Sequence, residues 1–359
     1  MSSRSIAPTP TPAPPSRAVA VAVAGGLALA VTLAALVVYK ASAAMVTLGA
    51  VYRDGGTVAP KAEWIATAEL PLALRPAAGA VNYLGWVLVA LAFGVIIGAL
   101  VRAAIPARWL AATVGARGAR GQLAAAIAGA PLMLCSCCVA PVFEGIYERT
   151  RRLGPAIGLM LAAPGLNPAA LALTFLLFPA ELGWGRLVLS VLLVLVGAAG
   201  IGRAHAAPPE PVACAVDGDR PTWRNLGRGF AAALVDTARR SLPAILLGIA
   251  LSAALITFVP LDALASAPGG AALLTIAVAA IAVPLALPTF AEIPLALALM
   301  HAGAPSGAVL ALLVAGPIIN LPSLLTLRVL TSSRVAATAA GAIFAAVTAG
   351  GLVLDLLVA

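Results

Sequence analysis

Charge is what this chain has least of. Only 10% of its 359 residues are Asp, Glu, Lys or Arg, where an ordinary globular domain carries about 25%. With 62% hydrophobic residues, it cannot cover itself with a polar surface in water, which excludes a soluble fold. Histidines number two and cysteines four. Three of those cysteines fall within four consecutive positions, too close in sequence to staple a fold with disulfides. Walker and Gly-rich dinucleotide fingerprints are missing, so nothing points to a nucleotide as energy source or cofactor. No Ser/His/Asp or HExxH arrangement suggests a hydrolase. The net charge of +9 is dispersed in short clusters between apolar runs, as topology signals are. No basic, aromatic-interleaved stripe suits a nucleic acid.

What the chain does have is charge-poor runs of about 20 residues, the length that crosses a hydrocarbon core of about 30 Å. They recur from Ala18 to the C-terminus. Residues 1–17, rich in Pro and Ser, read as a disordered cap, and 18–39 as a first transmembrane helix. That run exceeds a signal-peptide core. Ala41-Ser42-Ala43 beyond Lys40 resembles a cleavage site, but a retained helix is the expectation.

An internal repeat organises the rest. Adding 153 to positions 131–171 carries Pro131 to Pro284, Pro141 to Pro294, Pro164 to Pro317 and Asn167 to Asn320, while Ser136 meets Thr289. Permease repeat 1 covers 81–202 and repeat 2 covers 242–358, with a polar loop at 203–241. Each repeat holds four apolar segments, at 81–102, 121–147, 154–178 and 184–202, then at 242–260, 271–301, 306–328 and 335–358. If all of them cross, Lys and Arg divide 9 to 13 between the two sides. If 121–147 and 271–301 are hairpins that return to the side they left, the division becomes 17 to 5. The positive-inside rule favours the hairpins, with a cytoplasmic N-terminus. Prolines at the middle of both segments would break a helix there, and a proline-kinked span is the alternative. The expected architecture is all-α and polytopic: an N-terminal helix plus two inverted repeats, each with three spanning helices and one re-entrant broken-helix hairpin. The expected location is a bacterial inner membrane. In transporters built from such repeats the substrate site lies at the midplane, where broken helices meet.

The residues at that meeting point carry the chemistry. Cys135, Cys137 and Cys138 form a soft-ligand set for a thiophilic centre. In an irregular turn Cys135 and Cys137 would converge; on a helix Cys135 and Cys138 would share a face. Three thiols without a fourth ligand suit transient binding. Ser136 and its repeat partner Thr289 flank the tips. Glu292, a carboxylate expected at midplane depth, marks an ion pathway or proton relay. Asn167 and Asn320 follow prolines at matching positions, with a structural role and a substrate-binding role equally open. Glu144 and Glu148, with Arg149, Arg151 and Arg152, are expected to be solvated at the cytoplasmic exit of the first hairpin, with Glu144 a candidate gate. His301 is expected at an outer edge, and Cys214 as a free thiol in the loop.

Cys135-Ser136-Cys137 with Pro141, Pro164 to Asn167, Gly316 to Asn320, and Pro288 to Pro294 with Glu292 resemble the ArsP/YraQ family of predicted permeases. The resemblance covers about Gly85 to Leu330. It implies a multi-spanning permease, some relatives of which export trivalent organoarsenicals or other thiophilic species. Cys138 stands where the family more often has a small non-thiol residue, and Ile318 and Ile319 replace a smaller, more polar pair. The function expected is therefore export of a thiophilic species such as a trivalent (organo)arsenical, by proton exchange at Glu292, with no cofactor and with the bilayer and a small thiophilic or anionic substrate as partners. Transport of a sulfur-containing anion is the alternative. A thiol-redox protein using Cys137 and Cys138 stands behind it.

Overall fold

A computed structural model describes residues 15–53, 62–105, 110, 112–114, 116, 118–205, 223–258, 270–287 and 290–358. Among these, the regular structure is helical throughout. Five helices are long and apolar enough to cross a membrane, and two further pairs would each make a crossing if taken as one bent span. Seven crossings is the number the sequence led us to expect.

The first helix, α1 (Pro15–Arg53), is longer than the run 18–39. Lys40 does not end it, because its side chain is buried against the rest of the protein. The cleavage-like Ala41-Ser42-Ala43 lies within the helix. Next, α2 (Arg75–Ala104) runs antiparallel to α1, with Tyr39 stacked on Phe93 and Gly25 closing on Ala104.

The segment expected as the first hairpin comprises α3 (Ala119–Gly129), a short 3-10 turn at Ala130–Leu132, and α4 (Ser136–Thr150). At 1.5 Å per residue the limbs measure about 16 and 22 Å, so neither alone crosses the hydrocarbon. Contacts with the helix that follows show that they return. That helix, α5 (Leu153–Gly165), leaves α4 through a two-residue turn in which Arg151 adopts a left-handed conformation. Gln122, near the start of α3, lies against Gly154 and Gly158 near the start of α5, and Gly129 at the far end of α3 meets Leu159 and Ala162. So α3 begins at the level where α4 ends. The chain then breaks at Leu166–Asn167 and bends by 42° into α6 (Pro168–Leu177). Proline at the first turn of α6 has no N–H to continue the ladder of α5. Last in this half is α7 (Ala180–Ala204), which contains one π-helical turn at Leu193–Gly197. Gln122 Nε2 donates to the Val194 carbonyl in that turn at 2.6 Å.

The second half repeats this order. Here α8 (Trp223–Phe258) corresponds to α2, and α9 (Gly270–Ala282) with α10 (Glu292–His301) to the limbs α3 and α4. The pair α11 (Ser306–Ile318) and α12 (Leu321–Leu330), bent by 45°, corresponds to α5 and α6, and α13 (Ser333–Val358) to α7. The starts of α5, α6 and α7 fall 153 residues before those of α11, α12 and α13. These limbs return as well. Asp355, near the end of α13, accepts from Thr275 near the start of α9 (3.1 Å) and from the Gly307 N–H at the start of α11 (2.6 Å). From the end of α10, a short turn with Gly303 at φ 81° leads into α11.

Along α7 the two pairs of limbs can be placed against each other. Gly154 of α5 packs on Gly202 near the end of α7, whereas Gly185 near its start packs on Leu310 of α11. Seventeen residues of helix, about 25 Å, separate those levels. The two pairs therefore open toward opposite ends of α7.

Candidate functional site

The tips of both pairs lie near the breaks in the bent spans. At the first tip Met133 is left-handed (φ 49°), and at the second Phe290 is (φ 74°). Such conformations are uncommon in non-glycine residues and here let the chain reverse. Met133, Phe290 and Ala169 at the start of α6 pack together under Val37, Ala41 and Ala44 of α1. Freed backbone groups at the second tip find partners: the Pro284 carbonyl accepts from Leu321 N (3.1 Å) and Ser252 Oγ (3.1 Å). Irregular backbone at membrane depth needs this kind of satisfaction.

Cys135 caps α4, and its carbonyl accepts from the N–H groups of Cys138 and Val139. This position brings all three thiols together. Cys135 and Cys138 share a face of the opening helical turn, and the extended backbone at Cys135 lets Cys137 close on it too. The Sγ atoms form a triangle with sides of 2.9 Å (135–138), 3.1 Å (135–137) and 3.8 Å (137–138), and all three residues are buried. A centre bonded to three sulfurs at about 2.3 Å, the zinc–thiolate length, would hold them about 4 Å apart. Widening the triangle by roughly 1 Å would therefore seat one. The N-terminus of α4 turns its positive dipole end to the sulfurs. Lys40 of α1, buried, lies within electrostatic reach of Cys135. The Ser136 hydroxyl is buried with no hydrogen-bond partner among the described residues.

Tyr83 of α2 joins the two tips. Its hydroxyl is 3.5 Å from Cys137 Sγ and donates to the Leu287 carbonyl at 3.4 Å. On its other side Tyr83 lines a cavity of about 590 Å³, with Asn82, Trp86, Ser252, Phe290 and Pro294 among the walls. The segment Ala62–Leu74 closes over this cavity, held by Asn82, which accepts from the N–H groups of Trp64 and Ile65 and donates to the Ile65 carbonyl. The thiol cluster thus stands behind Tyr83 at the inner end of a cavity.

Glu292 opens α10 at the second tip and is buried. Its Oε1 accepts from Arg186 Nη2 of α7 at 2.9 Å, and Arg186 Nη1 donates to Thr174 Oγ1 of α6 at 2.7 Å. The division of basic residues counts Arg186 with the loops, although it falls at the start of the apolar segment 184–202. The structure corrects this: its side chain is 1% exposed. A lone arginine in an otherwise apolar run was the available signal, since such a residue faces a partner and not lipid.

Asn167 and Asn320 cap α6 and α12. Asn167 Oδ1 accepts from Ala169 N and Ala170 N, and Asn320 forms a reciprocal capping box with Ser323. Their side-chain oxygens therefore serve the broken backbone. Thr289 and Cys214 lie outside the described residues. His301 is exposed at the end of α10.

At the far end of α4 the expectation of a solvated acid fails for Glu144, while Glu148 is partly exposed. Glu144 is fully buried, because α4 is pressed on α2 through Gly94, Gly98 and Gly145. Glu144 accepts from Ser241 Oγ (2.7 Å) and lies 3.6 Å from Arg102. Arg102 also pairs with Glu148 (2.8 Å) and Asp236 (2.6 Å), and Arg240 bridges the same two acids. This network ties α2, α4 and α8 together.

A helical fold with up to seven crossings, broken spans and a buried polar site at the breaks defines a polytopic membrane permease. The chain belongs to the predicted permease family ArsP_1, whose profile matches residues 80–356. It is similar to the UPF0718 protein YraQ of Escherichia coli K12, 33% identical over 244 residues, 66% of this chain and 68% of that one. It is also similar to the UPF0718 protein MJ0584 of Methanocaldococcus jannaschii, 25% identical over 267 residues, 56% of this chain and 73% of that one. No solved structure matches it. The family profile begins after α1, so the helix that covers both tips lies outside the matched region.

Proposed function

We propose that this permease exports a thiophilic species, such as a trivalent (organo)arsenical, from a bacterial cytoplasm across the inner membrane, in exchange for protons. The observation that carries this reading is the convergence of three buried sulfurs at the tip of a broken helix, behind a cavity that ends at Tyr83. Soft trivalent centres prefer thiolates to oxygen or nitrogen ligands. A three-sulfur cup with no fourth protein ligand binds such a centre and can also release it. Cys135, Cys137 and Cys138 are the ligands in this reading. Ser136 and Thr289 border the site, Asn167 and Asn320 hold its backbone, and Glu292 takes up the exchanged proton.

In this reading the limb pairs are re-entrant hairpins entering from opposite faces, and the halves form inverted repeats with the N-terminus in the cytoplasm. The 25 Å offset along α7 and the distribution of basic residues, 17 to 3 once the buried Lys40 and Arg186 are set aside, support that orientation. The cavity then faces outward, and the Arg102 network closes the cytoplasmic side.

The test is growth of a sensitised, exporter-deficient bacterium on methylarsenite, with this chain or its Cys137→Ser form expressed at equal membrane abundance. Protection by the wild type that vanishes in the variant is expected. A well-inserted wild type that gives no protection would remove the arsenical from the reading.

A further inference from the structure

Taking the export reading as its basis, we propose that Arg186 is the positioning residue of the coupling step. It holds the tip of the second limb pair in place through ionised Glu292 and releases it when that carboxylate takes up a proton.

Three sets of contacts lead there. The guanidinium is anchored in the first half, on α7, and its Nη1 donates to Thr174 Oγ1 of α6, which in turn donates to the Ala170 carbonyl. Its Nη2 reaches across to Glu292, the first residue of α10. One side chain therefore spans the junction between the halves at the level of the tip. The two limb pairs are also seated differently. Glycines of α2 and α4 press the first pair into place, and the Arg102 network locks its outer end. In the second half Gly248 of α8, which corresponds to Gly94, meets Pro322 of α12 instead. The residues corresponding to Glu292, Thr174 and Arg186 in the other halves are Val139, Leu327 and Ala339. The ion pair therefore belongs to one tip alone.

Arg186 is the charge that faces Glu292. The helices packed on α10 are α6 and α11, and neither carries a titratable side chain. On α7, Glu181 is exposed and Arg203 stands at the far end; on α10, His301 is exposed at its far end. From α1, Lys40 lies on the side of the first tip, within reach of Cys135. Protonation forms one O–H bond, neutralises the carboxylate and leaves the guanidinium charged. Arg186 then keeps Thr174, while Ser190, one turn further along the same face of α7, offers a buried hydroxyl with no partner among the described residues. Release therefore sets in as pH falls.

Hydrogen–deuterium exchange of the full-length chain in lipid nanodiscs, corrected for intrinsic rates, tests this without any substrate. In the wild type, protection of residues 290–296 should fall as pH is lowered. In Glu292→Gln it should be about tenfold lower and independent of pH, since the neutral amide leaves Arg186 without its ionic partner. If that variant does not insert, Arg186→Lys decides. It retains a charge but cannot bridge Thr174 and Glu292 together, so protection should drop while the pH response persists. A wild-type profile flat with pH, or variants that exchange like the wild type, would overturn the proposal. Failure of the wild type to export methylarsenite would instead overturn the function it rests on, leaving the exchange result to judge the latch.

Discussion

Arg186 and Glu292 come from positions 106 apart in the chain and meet where water does not reach. Removing one of them leaves the other charge buried and alone, which typically costs about 3–5 kcal/mol. Arg186→Leu should therefore lower the melting temperature in detergent far more than the double variant Arg186→Leu/Glu292→Leu. Equal losses in both would show that the two side chains do not depend on each other. The asparagine caps act on a smaller scale. Replacing Asn167 or Asn320 with Ala removes a cap worth about 1 kcal/mol. Each variant should melt slightly lower while keeping methylarsenite export close to wild type. Complete loss of export in a stably inserted Asn167→Ala would assign that carboxamide to the substrate and not to the backbone.

For the elements, the decisive contacts are helix against helix at glycine. Gly94 and Gly98 of α2 lie so close to the carbonyls of Cys138 and Pro141 that a Cβ has no room. Without a hydrophobic force between helices in lipid, such small-residue seats are what allow close packing. Gly94→Leu should push α4 and its thiols away from Tyr83, reducing monodisperse yield on size-exclusion chromatography and abolishing export. Gly26→Ala on α1, with nothing within 4 Å of the added carbon, should change neither. Equal tolerance at both positions would mean that α4 is not held by α2.

The whole molecule is defined by two pairs of limbs opening toward opposite ends of α7. Arg151, at the base of the first, and His301, at the base of the second, are the markers of those ends. In spheroplasts, Arg151→Cys should resist a membrane-impermeant maleimide until the membrane is opened, and His301→Cys should react at once. Reaction of both from the same side would refute the inverted arrangement.

Much of this was legible in the sequence because it depends on period and composition, which are local. Apolar runs gave the crossings, proline pairs gave the breaks, and the 153-residue offset gave the halves, since each breaker acts on its own backbone. Cys135, Cys137 and Cys138 could be singled out because their chemistry is crowded into four positions. Whether they would converge as a turn or along a helix could not be read, because that depends on Cys135 capping α4. The partners were another matter. Arg186 looked like a loop charge and Glu144 like a solvated acid, because burial is decided by what packs on a residue from elsewhere. Tyr83 carried no mark at all until its hydroxyl was found between the two tips. The sequence by itself determined that this is a multi-spanning helical permease with a thiol cluster at a broken helix. Only the tertiary structure decided which charge faces which, because an ion pair is set by distance in space and the chain records distance only along itself.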